Sequence, residues 1–443
     1  MTKIIQLDDN LILRAATFED ADKVVELNRL VHGDPKTGEP DVAVGHWTRD
    51  LFNGVNPAIG PSDFTVVEDT SNGEIVSTIC LMEQVWNIGG IDTLMGMPEI
   101  VGTHPNYRNR GLVRKQFDLM HKWSVARGHL FNTIMGIPEY YKLFGYEYAL
   151  DAWGGSATTP ALLDSVCSGK DEKPPFTARD AEEADIQFIA DTYQTVRDRA
   201  FVTVNRDVAA IERELFSVHE KNPMHWKCRI LLRDDTPVGF YMFGSENMYK
   251  TIRVDMLEIA ASANWLDATT SMLVDVRGMT ERFHPEGKER CEKIEFEFGP
   301  NHPAFKMFDM PFGAPKRKYQ WYVRVEDVAK LISHLKPLFE QRLADSEFRG
   351  WSGDLKISFY KNAIEMKFDQ GKLVSAENIG FIERSEASAH YPGLTFLKAL
   401  FGQHSFSYLK DHHGGASSKD FYGTALQDTL FGGPLISFIN QVS

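Results

Sequence analysis

The chain has 443 residues, 43% of them hydrophobic and 25% charged, which is ordinary globular usage over a length that implies two to four domains rather than one core. Its 62 acidic residues outnumber 48 basic ones, for a net charge of −14, which argues against nucleic acid as a partner and favours cationic ligands. No apolar run reaches the ~20 residues that cross a bilayer, and Met1–Gln6 holds no signal-peptide core, so no membrane partner and a cytoplasmic location are expected. Cys80, Cys167, Cys228 and Cys291 lie far apart and fit no metal spacing, so free thiols and no metal are expected.

In chain order, Leu11–Arg14 reads as a first strand. Thr17 and Asp20 flank a helix start, and Ala21, Val24, Val25, Leu27 and Leu30 line one helical face. Residues 33–62 are rich in Gly, Pro and Asp, with Trp47 and Phe52 on a possible helix. Phe64–Val67, Ile75–Met82 and Ile100–Thr103 are successive strands, the first two joined by an Asn72-Gly73 hairpin turn.

The stretch from Gly96 to Tyr146 carries the most information. Pro105 and Asn106 stop the strand Ile100–Thr103, Arg108-Asn109-Arg110-Gly111 turns, and Leu112, Gln116, Leu119 and Trp123 then recur at helical spacing. Strand, basic glycine turn and helix start together make an anion site. The first helical N–H groups lack internal partners, and the helix dipole places positive charge there. Gly111 allows close approach, and Arg108 and Arg110 can grip phosphate oxygens, so a diphosphate would fit.

This stretch resembles the GNAT acyltransferase superfamily, whose coenzyme A loop reads Arg/Gln-x-x-Gly-x-Gly/Ala. Arg108, Gly111 and Val113 fill those positions, Val113 in place of the usual small residue. Tyr140-Tyr141-Lys142-Leu143-Phe144-Gly145-Tyr146 matches the second signature of that superfamily. The resemblance implies acetyl-CoA as co-substrate, held by Arg108, Asn109, Arg110, Gly111, Leu112 and Val113, with backbone groups of Val101 and Thr103 facing its pantetheine arm. It also implies that Phe131–Met135 is a strand splayed from its neighbour.

Gly154–Pro175 reads as a linker or crossover, followed by a helix from near Asp180 through Tyr193. Arg229–Leu232, Pro237–Phe243, Arg253–Ile259 and Glu295–Phe298 are strand-like, and Asn264–Val276 is helical. Glu258-Ile259-Ala260-Ala261-Ser262 echoes the cofactor strand and His302–Phe308 echoes Pro138–Phe144, but no Arg-x-x-Gly turn lies between, so a second GNAT-like fold without the coenzyme loop is expected. From Tyr319 the pattern changes: Trp321–Val325 leads into a long helix through Leu343, then strands at Leu355–Tyr360, Ala363–Phe368 and Lys372–Ala376, and helices near Leu394–Phe401 and Ala425–Phe431. This part resembles the sterol carrier protein fold, acting either as a lipid carrier or as a structural cap.

The fold class expected is therefore α/β (α+β): tandem GNAT-like domains with mixed central sheets at 1–155 and 156–318, then a sterol-carrier-like α+β domain at 319–443. That order resembles the Eis (enhanced intracellular survival) family of bacterial N-acetyltransferases. The resemblance implies a homo-oligomer, a hexamer in that family.

Acyl transfer from a thioester to an amine requires that the amine lose a proton, the carbonyl oxygen be stabilised and the departing thiolate be protonated. By resemblance Tyr141 is the general acid, and a phenol with pKa ≈ 10 holds its proton near neutrality. Two groups can assist amine deprotonation: the terminal carboxylate of Ser443, by the Eis resemblance, and Glu99, on the cofactor strand. The acceptor expected is a small polycationic amine, such as an aminoglycoside, a polyamine or a lysine-like group. The alternative is a non-catalytic coenzyme A sensor or lipid carrier.

Overall fold

The computed structural model describes residues 4–152, 154–167, 173–244, 250–282, 291–299, 301–307, 314–315, 319–419, 421–433 and 435–439. The first segment runs β1 (Ile5–Gln6), β2 (Leu11–Ala15), α1 (Ala21–His32), α2 (Val42–Phe52), β3 (Phe64–Asp69), β4 (Glu74–Ile88), β5 (Ile91–Thr103), α3 (Leu112–Ala126), β6 (Phe131–Ile134) and β7 (Glu147–Asp151). β4 and β5 are far longer than their apolar runs suggest. Gly89 and Gly90, at φ +55° and +89°, close them into one hairpin whose register runs from Ile88↔Ile91 back to Ser77↔Thr103. Phe64, Val66, Met82, Met95 and Met97 pack on Trp47 and Leu51 of α2. Ile79, Leu81 and Ile134 meet Phe117 and Met120 of α3 on the opposite face. Each such buried side chain contributes ~1.5–3 kcal/mol, so helices cover both faces of the sheet.

The second segment runs β8 (Ser156–Thr158), α4 (Pro160–Cys167), β9 (Thr177–Asp180), α5 (Ile186–Gln194), β10 (Val202–Val204), α6 (Val208–Glu212), β11 (Trp226–Arg233), β12 (Thr236–Gly244), β13 (Thr251–Ile259), α7 (Trp265–Arg282), β14 (Lys293–Phe296) and β15 (Ala314–Pro315). The linker expected over Gly154–Pro175 is thus partly a strand and a helix. The helix expected near Asp180 starts later, because Asp180 ends β9. The two segments share a local device. Arg14 pairs with Asp20 at 2.6 Å and Arg179 with Asp185 at 2.6 Å, and each aspartate also accepts a backbone N–H three residues upstream at 2.8 Å.

The third segment holds β16 (Gln320–Arg324), α8 (Val328–His334), α9 (Lys336–Ala344), β17 (Gly353–Ser358), β18 (Ala363–Asp369), β19 (Lys372–Gly380), β20 (Ala389–His390), α10 (Phe396–Leu400), α11 (Phe406–His412), β21 (Ser417–Ser418), α12 (Phe421–Phe431) and β22 (Ser437–Phe438). The single helix expected through Leu343 breaks at Leu335, where Pro337 opens α9. Leu355, Ile357, Ile364, Met366 and Leu373 pack with Phe396, Leu400, Leu430 and Phe431 in a core continuous with that of the first sheet.

The strands do not respect sequence order. β16 enters the first sheet between β6 and β7, with Tyr322 opposite Ile134 on one side and Tyr148 on the other. β8 enters the second sheet between β14 and β15. β16, C-terminal to the boundary expected at 318/319, thus pairs with strands of the first segment. β10 also pairs with β4, and β22 runs parallel to β10.

Candidate active site

β5 and β6 pair only at Met95↔Phe131 and Gly96↔Asn132, and β5 continues to Thr103 beyond them. Past Gly96 the two strands have parted, as the resemblance implied for β6. On its other edge β5 carries a bulge. The register steps from Thr78↔Gly102 to Cys80↔Glu99, so Ile100 and Val101 together oppose Ile79. Ile100 sits at φ +53°, a conformation a β-branched residue rarely adopts and one that costs ~1–3 kcal/mol. A bulge leaves one residue outside the ladder, so backbone groups at this point are not all taken up by β4. The sequence reading named Val101 and Thr103 but not Ile100, since no residue pattern marks an isoleucine bulge.

Beyond Thr103 the anion turn takes shape. Asn109 and Gly111 have φ +62° and +73°, and Gly111 caps α3. A glycine cap brings no side chain to the first N–H groups of the helix, which stay available to an anion. A methyl group placed on Gly111 would meet nothing within 4 Å, so the space over the helix mouth is open. The exposed Arg108 donates from Nε to the Thr103 carbonyl at 3.3 Å. Arg110 pairs with Asp8 at 2.6 Å and lies 5.4 Å over the Tyr107 ring, so its charge is shared rather than wholly free for phosphate. The Leu112 side chain is buried with Leu11, Leu13, Val67 and Val76. Gln116 fixes α3 in place: its Oε1 accepts from Ser77 Oγ at 2.6 Å, and its Nε2 donates to the Thr65 carbonyl at 3.0 Å.

Glu99, Val101, Thr103, Arg108, Asn109, Arg110, Gly111, Leu112, Val113 and Tyr141 all line one groove of about 810 Å³. Val31, His32, Val44 and Trp47 close its far end. Trp47 is buried, and its indole N–H has no hydrogen-bond partner among the described residues. Tyr141 is 6% exposed and Glu99 9% exposed. Burial first, and then the Glu99 charge, push the Tyr141 phenol well above the ordinary tyrosine value. Tyr146 is fully buried, with its hydroxyl 3.0 Å from His121 Nε2, and is a core residue. Ser443 lies outside the described residues. One groove residue had no visible sequence signal: Gly136, at φ +144°, lies under the Tyr141 ring.

A helix mouth, a bulged and parted strand pair and a buried phenol share one groove. Residues 13–149 match the family model described as the acetyltransferase (GNAT) domain, and the protein is an acyltransferase. Solved structures share its fold from end to end. The GCN5-related N-acetyltransferase from Anabaena variabilis superposes with a TM-score of 0.67 at 12% identity, over 97% of this chain and 99% of that one. The one from Kribbella flavida gives 0.65 at 17% identity, over 98% and 100%. Eis1 from Mycobacterium abscessus gives 0.60 at 14% identity, over 99% of each chain. No curated protein matches the sequence. Among the described residues no cluster of side chains could hold a metal ion, and no helix is long and apolar enough to cross a membrane.

Proposed function

We propose that the protein is an Eis-like N-acetyltransferase that moves an acetyl group from acetyl-CoA to a primary amine of a small polycationic acceptor. The observation that carries this reading is the shared groove, which holds the open helix mouth at one point and Tyr141 with Glu99 at another. The N–H groups opening α3, together with Arg108 and in part Arg110, would hold the diphosphate. Backbone groups at Ile100, Val101 and Thr103 would face the pantetheine arm and the thioester oxygen. Bound acetyl-CoA supplies an acyl group whose C–S bond breaks as the N–C bond forms. Tyr141, kept protonated by burial, gives its proton to the departing sulfur.

The amine proton goes to Glu99 or to the Ser443 carboxylate. Glu99 is buried and close enough to Tyr141 to raise its pKa. Ser443 is the acceptor that the Eis resemblance implies. The −14 net charge favours a polycationic acceptor. Two GNAT-like domains and a sterol-carrier-like third domain, a homo-oligomer of up to six copies and a cytoplasmic location complete the reading. The filled core between the third sheet and its helices favours a structural cap over a lipid carrier.

Purified protein mixed with acetyl-CoA and a panel of aminoglycosides, polyamines and lysine derivatives should release free thiol. Coenzyme binding without thiol release across the panel would refute the enzyme reading. Tyr141→Phe should slow release ~100-fold or more at unchanged coenzyme affinity. Glu99→Gln, compared with a variant extended by one glycine beyond Ser443, identifies the proton acceptor.

A further inference from the structure

Three tyrosine hydroxyls converge on the loop that leads into the Tyr141 turn. Tyr319, just before β16, donates its O–H to the Gly136 carbonyl. Tyr322, fully buried in β16, donates to the Ile137 carbonyl at 3.1 Å. The Tyr148 hydroxyl accepts the Glu139 N–H at 3.3 Å and lies 2.6 Å from the Tyr322 hydroxyl. The Tyr148 and Tyr322 rings stack at 4.0 Å, and Tyr322 presents its ring edge-on to Tyr141 at 5.5 Å.

The loop they hold is strained. Gly136 and Glu139 have φ +144° and +64°, and backbone of this kind persists only where its surroundings over-determine it. The loop is also the seat of Tyr141. A methyl group on Gly136 would lie 2.9 Å from Tyr141 Cε2 and 3.2 Å from its hydroxyl oxygen. A shift of the loop therefore shifts the phenol.

We propose that Tyr322, with Tyr319 and Tyr148, is a positioning residue for acyl transfer. The three hydroxyls hold residues 136–139 in a path that fixes the Tyr141 hydroxyl in the groove. This rests on Tyr141 acting as the general acid. Two of the three tyrosines lie far along the chain, 183 and 185 residues from the carbonyls they hold, so the loop is braced by Tyr319 and by Tyr322 of β16.

The test uses full-length protein, steady-state thiol release and thermal melting. Tyr322→Phe and Tyr319→Phe each remove one oxygen and keep the ring. Each should lower kcat roughly tenfold and leave KM for acetyl-CoA within about twofold, because the loss concerns alignment and not coenzyme binding. In a Tyr141→Phe background neither change should slow the enzyme further, since each acts through the missing hydroxyl. If Tyr322→Phe does not fold, the half-buried Tyr319 carries the test. Full kcat in both single variants overturns the proposal, as does an undiminished tenfold fall in the Tyr141→Phe background. If Tyr141→Phe is slow while both others are fast, the acid reading stands and the positioning role alone falls. If Tyr141→Phe itself keeps full kcat, both fall.

Discussion

Gly136→Ala is the substitution whose cost the structure defines most narrowly. At φ +144° the backbone lies where only glycine is comfortable, and a side chain there costs ~1–3 kcal/mol. The new methyl would also sit 2.9 Å from Cε2 of Tyr141, whose buried ring is walled in by Phe117, Tyr140 and Tyr322. Overpacking of this kind adds ~1–3 kcal/mol, so the expected loss is about 2–6 kcal/mol. Part of the strain is relieved by displacing the phenol, and a misplacement near 1 Å costs ~100-fold in rate. The assay pairs chemical denaturation with thiol release at saturating acetyl-CoA. Gly350→Ala, outside the groove, is the control: it has φ +74° but open space, so only the ~1–2 kcal/mol backbone penalty applies and kcat survives. A Gly136→Ala enzyme with parental stability and a rate within about twofold would refute both the geometry and the place of Tyr141 in the chemistry.

Arg108→Ala should weaken coenzyme binding about tenfold and Arg110→Ala only about threefold, because Arg110 already shares its charge with Asp8; calorimetric titration at low salt checks the ranking. Glu258 is pushed up to about 7 by burial, against 4.5 for the free side chain. The folded state therefore binds the extra proton between these values, and stability is lost as pH rises from about 4.5 through about 7. Glu258→Gln should flatten that fall in urea midpoints measured from about pH 5 to 8. Burial raises the thiols of Cys80 and Cys228 far above the ordinary value, so neither should react with iodoacetamide until the protein is unfolded, as read by peptide mass mapping.

Local chemistry was legible in the sequence. Turn residues and periodicity marked α1, α3 and the anion turn, and the paired signatures brought ten of the eleven expected site residues to one groove. What stayed hidden depends on partners remote in sequence. The length of β4 and β5 follows from the Gly89-Gly90 turn, whose flanking Val85, Trp86, Ile88, Ile91 and Leu94 were a strand signal the pattern reading passed over. Ile100 adopts its conformation because the sheet imposes it, against its own preference. Arg110 read as a free cation because Asp8 lies 102 residues away in sequence. β16 read as the start of a new domain because a strand does not carry the identity of its sheet.

The exchange of β8 and β16 has a consequence for synthesis on the ribosome. An N-terminal product ending at 155 would lack the strand between β6 and β7, and with it the tyrosines that brace the acid-bearing loop. The nascent chain must therefore keep a gap in its first sheet until residue 324 has emerged, with two apolar sheet edges exposed meanwhile. Activity should switch on late and all at once, and fragments cut at the obvious domain borders should aggregate rather than work.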